Sequence, residues 1–153
     1  MSPEDKLREL GLTLPALPKP IATYEPFKVD GHIAYLSGQG PRKPDGSYHE
    51  GRVGEAVSTD EAREHARLTG LGLLAAAKAA AGDLAQVEIL KVFGMVNAVP
   101  GFRDQPSVIN GCSDLFVAVL GERGRHARSA VGLGSLPNNM SVEIEAVIRI
   151  HRA

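Results

Sequence analysis

"ARSAVGLGSLPNNMSVEIEAV", residues 127–147, decides the fold. Its second half, carried on to Ile150, alternates without a break. Val142, Ile144, Ala146, Ile148 and Ile150 fall on one side; Ser141, Glu143, Glu145, Val147, Arg149 and His151 fall on the other. Alternation of this kind stands successive side chains on opposite faces of a β-strand. One face of a strand over 141–150 is therefore core, and the other is mixed in character. The first half reads as a strand over 129–134, entered through Arg128, with a turn around Leu136-Pro137 before the second strand. Arg128 and two glutamates thus fall on what read as neighbouring strands, among residues that otherwise look like core.

Working outward, residues 58–81 form the clearest helix. Ser58 and Glu61 make a capping box, and Gly82 stands where a C-terminal glycine cap belongs. Spacing at about 100° per residue gathers Ala62, Ala66, Thr69, Leu73, Ala76, Ala77 and Ala80 on one side. So many small residues imply close packing on a sheet. Gly70 and Gly72, each costing about 1 kcal/mol in a helix relative to Ala, imply close backbone approach. A second helix over about 106–120 carries the stripe Val108, Ile109, Cys112, Leu115, Phe116, Val119 and Leu120. Strands are predicted over 22–29 and 32–37, joined at Asp30-Gly31, and over 86–98. Pro26 in the first of these implies an edge position or a late start. The order ββαβαββ, two long helices with five strands, predicts an α+β fold with both helices on one face of a mixed sheet. The other face, left uncovered and mixed in character, is expected to meet another subunit.

The chain has 153 residues, enough for one domain that buries roughly 68–70% of its unfolded surface without a disulfide or metal. Residues 1–19 read as an N-terminal helix and a Pro-rich extended connection, 20–153 as the domain proper. Ser2 is the N-cap of that helix and Pro3 its first residue. The stretch "MSPEDKLREL" lacks the basic start and apolar run of a signal peptide, and no stretch approaches 18 apolar residues. A cytoplasmic protein with no membrane partner is expected. With 17 Lys+Arg against 18 Asp+Glu, no basic cluster and no Trp, the composition argues against nucleic acid as a partner.

Most candidate chemistry recedes on inspection. Cys112, the single cysteine, lies inside the apolar stripe and reads as a small buried hydrophobe. The five histidines show no i,i+4 pair and no nearby cysteine, so no metal site is expected. Arg128 is more informative. A planar guanidinium grips a carboxylate through two parallel hydrogen bonds, and small neighbours leave room for a ligand. Either charge alone reads as half of a structural ion pair. Taken together, Arg128 and Glu143 suggest a small-carboxylate pocket.

The 127–147 stretch resembles the C-terminal signature of the RidA/YjgF family: Arg-Ser, a strand, Leu-Pro, then a Val-Glu-Ile-Glu-Ala strand. "YLSGQGP" (35–41) is similar to that family's Ser-Gly-Gln-x-Pro segment, and "NGCSDLF" (110–116) to its helix that opens with an asparagine. The resemblance implies a chorismate-mutase-like fold and a homotrimer with clefts between subunits. It also implies cofactor-free hydrolysis of reactive 2-enamino or 2-imino acids to 2-oxo acids and ammonia. By the same resemblance Arg128 holds the substrate carboxylate and Glu143 handles the attacking water. Tyr24 lines the cleft from the neighbouring subunit, with Ser37, Gly38 and Asn110 at its walls. Ala130 stands where the family often has cysteine, so only its backbone contributes. Two other readings remain open: a non-catalytic carboxylate-binding trimer, which needs Arg128 but not Glu143, and an endoribonuclease, which the charge balance disfavours. Chorismate rearrangement is an analogy of fold alone.

Overall fold

A computed structural model describes residues 1–19 and 22–152. Its elements are α1 (Pro3–Glu9), β1 (Phe27–Asp30), β2 (Ile33–Gln39), α2 (Thr59–Ala81), β3 (Val87–Asn97), α3 (Gln105–Leu120), β4 (Ala127–Leu133) and β5 (Val142–Ile150). The five strands form one sheet in the order β1-β2-β5-β3-β4. Only β3 and β4 run parallel, joined through α3; the other pairs are antiparallel. The sheet is mixed, as expected, and α2 and α3 cover one face.

Local chemistry explains the element limits. Ser58 accepts from the Glu61 amide at 3.1 Å while the Glu61 carboxylate accepts from the Ser58 amide, so both ends of the predicted capping box close at the start of α2. The first strand is shorter than the sequence pattern predicts, beginning at Phe27 rather than 22. Pro26 lacks an N–H for the ladder and sits where the strand begins, at the sheet edge. Residue 21, next to the predicted start, lies outside the described residues. The two-residue Gly31-His32 connection carries Gly31 at φ 62°, in the left-handed region that glycine adopts freely.

The core lies between the helices and the inner sheet face. Val142, Ile144, Ala146, Ile148 and Ile150 are all buried there, as the alternation in β5 predicts. Leu7 of α1 belongs to the same core, and Leu12, Leu14 and Leu17 pack against it. A Lys78–Glu4 ion pair at 3.5 Å adds a polar tie between α2 and α1.

The small residues of α2 pack on the sheet as the sequence suggests, but they serve a second contact as well. Gly70 approaches not the sheet but α3, where an added Cβ would stand 3.1 Å from Cys112 Sγ and Leu115. Gly72 does face the sheet, and its carbonyl accepts from Gln39 Nε2 at 3.0 Å. The tightest place in this crossing is Gly111 of α3, where a Cβ would lie 2.0 Å from the Arg63 carbonyl oxygen of α2. That neighbour is backbone and cannot swing aside. Gly111→Ala should therefore destabilise the fold by about 1–3 kcal/mol or more despite the better helix propensity of alanine. Urea denaturation would show it as a lower midpoint at unchanged slope; an unchanged or higher midpoint would mean the helices are not in this contact.

Candidate functional site

Two side-chain groups, on opposite sides of the sheet, contain the residues singled out by sequence. The first surrounds Arg128. Arg128 is aligned with Val92 of β3, an inward-facing core residue, and so points to the helix side at the outer edge of the sheet. Its Nη1 donates to Asn110 Oδ1 at 2.7 Å and to Ser113 Oγ at 3.1 Å, both on α3. Asn110 lies inside α3, beyond its first turn, and not at the helix start. Ala130, aligned with Gly94, faces the same way and packs against the core. Arg128 has no carboxylate within ion-pair distance among the described residues.

The second group surrounds Glu143. Glu143 is aligned with Met95 and belongs to the outer sheet face. Opposite β5, strand β2 spends two residues, Ser37 and Gly38, on the interval where β5 spends only Glu145, since Leu36 pairs with Ala146 and Gln39 with Ile144. This β-bulge bends the strand and leaves the Ser37-Gly38 backbone beside the Glu143 carboxylate. A Cβ at Gly38 would stand 3.1 Å from Glu143 Oε2, so glycine here permits a contact that other residues would crowd. Ser37 is held by donating its hydroxyl to the Glu25 carbonyl at 2.5 Å. Tyr24 is exposed and joins Gly38 and Glu143 in one cleft, walled further by Tyr48, Arg42 and the Pro137-Asn138 turn.

The sequence expectation that Arg128 and Glu143 sit on neighbouring strands, brought to one pocket by Leu136-Pro137, is therefore corrected. Strand β3 lies between β4 and β5, and the two charges project from opposite faces. The turn at Pro137 walls the Glu143 cleft. It is fixed by buried Asn97, whose Nδ2 donates to Asn139 Oδ1 and the Met140 carbonyl, both at 3.1 Å.

Electrostatics separates the titratable groups. Cys112 is wholly buried, and burial pushes its thiol far up, leaving it inert as a nucleophile. Burial lowers the pKa of His49, His65 and His126, with nearby positive charge adding to the effect in each. His49 and His65 stack at 4.3 Å, and His65 Nδ1 lies 2.8 Å from Ser141 Oγ. Among the described residues, no group of three or more His, Cys, Asp or Glu is placed to hold a metal. No helix of the described residues is long and apolar enough to cross a membrane.

Tyr48 and Arg42 in one group, and Ser113 and His126 in the other, escape the sequence reading. Ser113 had a signal: it follows Asn110 by one helical turn, which puts the two on a common face, whereas His126 lies just before β4 and had none.

Glu143 is pushed up, first by burial and second by the Glu145 charge two residues along the same face. Ionisation from the ordinary value of 4.5 is therefore penalised in the folded chain only. The penalty is complete above the folded pKa and absent below 4.5. Glu143→Gln should accordingly raise the denaturation midpoint near neutral pH, and the advantage should shrink as pH falls toward 4.5. A gain independent of pH, or a loss, would contradict the assigned burial of the charge.

The whole chain has matches among known proteins. Residues 4–146 match the profile of the family described as "YjgF/chorismate_mutase-like, putative endoribonuclease". A curated relative, Protein TCP17 of Trypanosoma cruzi, is 37% identical over 147 residues, covering 95% of this chain and 92% of that one. A second, 2-iminobutanoate/2-iminopropanoate deaminase of Dermatophagoides farinae, is 26% identical over 144 residues, covering 91% and 94%. Among solved structures, Atu1372 of Agrobacterium tumefaciens, of unknown function, aligns with TM-score 0.88 and 46% identity over 97% of this chain and 93% of that one. RidA from an Antarctic Psychrobacter aligns with TM-score 0.63 and 27% identity over 88% and 94%. With the profile spanning nearly the whole domain and relatives of this identity on both counts, the chain belongs to the YjgF/RidA family.

Proposed function

We propose that this protein hydrolyses small 2-imino acids, and the 2-enamino acids that tautomerise to them, to 2-oxo acids and ammonia. The observation that carries the reading is the half-buried guanidinium of Arg128, fixed by Asn110 and lacking any carboxylate partner among the described residues. A fixed, unpaired guanidinium is a site for an external carboxylate. The likeness to a 2-iminobutanoate/2-iminopropanoate deaminase and to RidA supports the same substrate class.

The reaction is chemically simple. Water adds to C2 of the protonated imine as Glu143 takes its proton. The resulting carbinolamine receives that proton on nitrogen; Glu143, a carboxylate again, takes the carbinol hydroxyl proton as the C=O forms and the C–N bond breaks, and the departing ammonia carries that proton away as ammonium. Glu143 acts as general base and then general acid, a role suited to a carboxyl whose pKa is raised by burial. Arg128 contributes orientation by holding the carboxylate end of the substrate. No cofactor enters this scheme.

Since Arg128 and Glu143 project from opposite faces of one chain, the proposed site is completed between copies. Arg128, Asn110 and Ala130 come from one subunit, and Glu143, Tyr24, Ser37 and Gly38 from its neighbour in a cyclic homotrimer. The outer sheet face supports such an assembly. Tyr35 is 54% exposed and pairs with half-buried Val147, with Phe93 half-buried on the same face, an apolar patch with no helix over it. Glu145 and Arg149 lie exposed on that face and would meet the neighbour.

The test generates 2-iminobutanoate in place with a PLP-dependent threonine dehydratase and follows 2-oxobutanoate and ammonia release. Wild-type protein should accelerate release, and Arg128→Ala should reduce the acceleration by about 100-fold or more. Absence of acceleration, or its survival in Arg128→Ala, would overturn the assignment. No turnover combined with Arg128-dependent binding of 2-oxobutanoate would favour a carboxylate-binding protein instead.

A further inference from the structure

The Arg128 guanidinium carries five N–H groups, and two of them are already committed. The two Nη1 hydrogens point to Asn110 Oδ1 at 2.7 Å and Ser113 Oγ at 3.1 Å. Nε and Nη2 donate to no acceptor among the described residues. A carboxylate can engage a guanidinium end-on, through both Nη atoms, or side-on, through Nε and Nη2. With Nη1 saturated, only the side-on fork remains whole.

What holds Nη1 extends further. His126 Nδ1 lies 2.7 Å from the Gly124 carbonyl oxygen, which can only accept, so Nδ1 carries the proton. In neutral His126, Nε2 is then bare, 2.9 Å from Ser113 Oγ. Ser113 must donate its single hydroxyl hydrogen to that nitrogen, leaving its lone pairs for Arg128 Nη1. Each donor and acceptor from the Gly124 backbone to Arg128 is thereby fixed in direction. The ring stands edge-on to Phe116, with centroids 5.9 Å apart at 78°, which fixes its plane. Its remaining surroundings are Arg128 beyond Ser113, the exposed Asp114 and Val117 of α3, and Arg125, which is paired with Glu122 at 3.2 Å. Burial lowers the pKa of His126 and outweighs the opposing effect of the Gly124 hydrogen bond, with the Arg128 charge acting in the same direction as burial, so the neutral form that the chain requires prevails near pH 7.

We propose that Ser113 and His126 are positioning residues that hold Arg128 by Nη1, so that it takes a 2-imino or 2-oxo carboxylate side-on through Nε and Nη2. The proposal rests on Arg128 being the carboxylate anchor assigned above. Neither residue touches substrate; both act through the arginine.

Two measurements test it. In long-range proton–nitrogen NMR of wild-type protein near pH 7, His126 should be neutral with its proton on Nδ1. A proton on Nε2, or a charged ring, overturns the chain whatever the enzyme does. In the imine assay, Ser113→Ala should raise KM about tenfold with a much smaller change in kcat, since it removes a hydrogen bond to a charged group. Ser113→Thr, which keeps a hydroxyl at the same place, should restore most of the loss. His126→Phe, which keeps the packing on Phe116 but removes the acceptor, should raise KM in the same direction. If Arg128→Ala abolishes turnover while Ser113→Ala retains the wild-type KM, the positioning role is wrong and the function stands. If Arg128→Ala retains turnover, the functional reading falls, and the NMR result alone decides the hydrogen-bond chain.

Discussion

A sheet has two faces, and the placement of β3 between β4 and β5 decides which face each charged group occupies. Parallel pairing with β4 aligns Arg128 with Val92 on the helix side. Antiparallel pairing with β5 aligns Glu143 with Met95 on the open side. The registers are not adjustable, because a slip of one residue would drive five buried aliphatic side chains of β5 out of the core. The hydrophobic core therefore dictates that a single chain holds Arg128 and Glu143 on opposite faces. Any chemistry using both charges must then be built between chains.

Each half is assembled by a different local device. On the open side the β-bulge at Ser37-Gly38 brings backbone against the Glu143 carboxylate, and the Asn97-anchored turn supplies the opposite wall. On the helix side α3 presents Asn110 and Ser113 one turn apart to a strand-borne arginine. Both charges are half-buried without a compensating ion of opposite sign among the described residues. A half-buried charge without an opposite partner costs stability, and the proposed function gives each of these two a ligand to meet.

Much of this was legible in the sequence because it rests on local rules. Period-two alternation identified β5 and its buried face, capping chemistry placed the start of α2, and the apolar stripe placed α3. Pro26 foretold the late, edge-placed first strand. The signature residues around Arg128 and Glu143 carry the resemblance to the family, which the profile match bears out. What could not be read is spatial order. Adjacency along the chain suggested that the strands of Arg128 and Glu143 were neighbours, whereas a βαβ connection places β4 beside β3 and leaves β5 on the other side. The close approach at Gly70 was anticipated, but its partner was not, because a helix carries no mark of whether a small residue meets a strand or another helix. Ser113 and His126 are hidden for a similar reason: the spacing of Ser113 from Asn110 is visible in the sequence, but the contact between helix and strand is not.

The central claim, that one catalytic site combines Arg128 of one subunit with Glu143 of another, is tested most directly by mixing inactive subunits. Arg128→Ala and Glu143→Gln proteins are each purified, denatured together in equal amounts, refolded and assayed for imine hydrolysis. In a cyclic trimer with random assembly, three quarters of the particles are mixed and each has one intact seam in three. The expected recovery is thus about one quarter of the wild-type rate. Activity no greater than the sum of the two parents would place both groups in the same subunit's site and contradict the account.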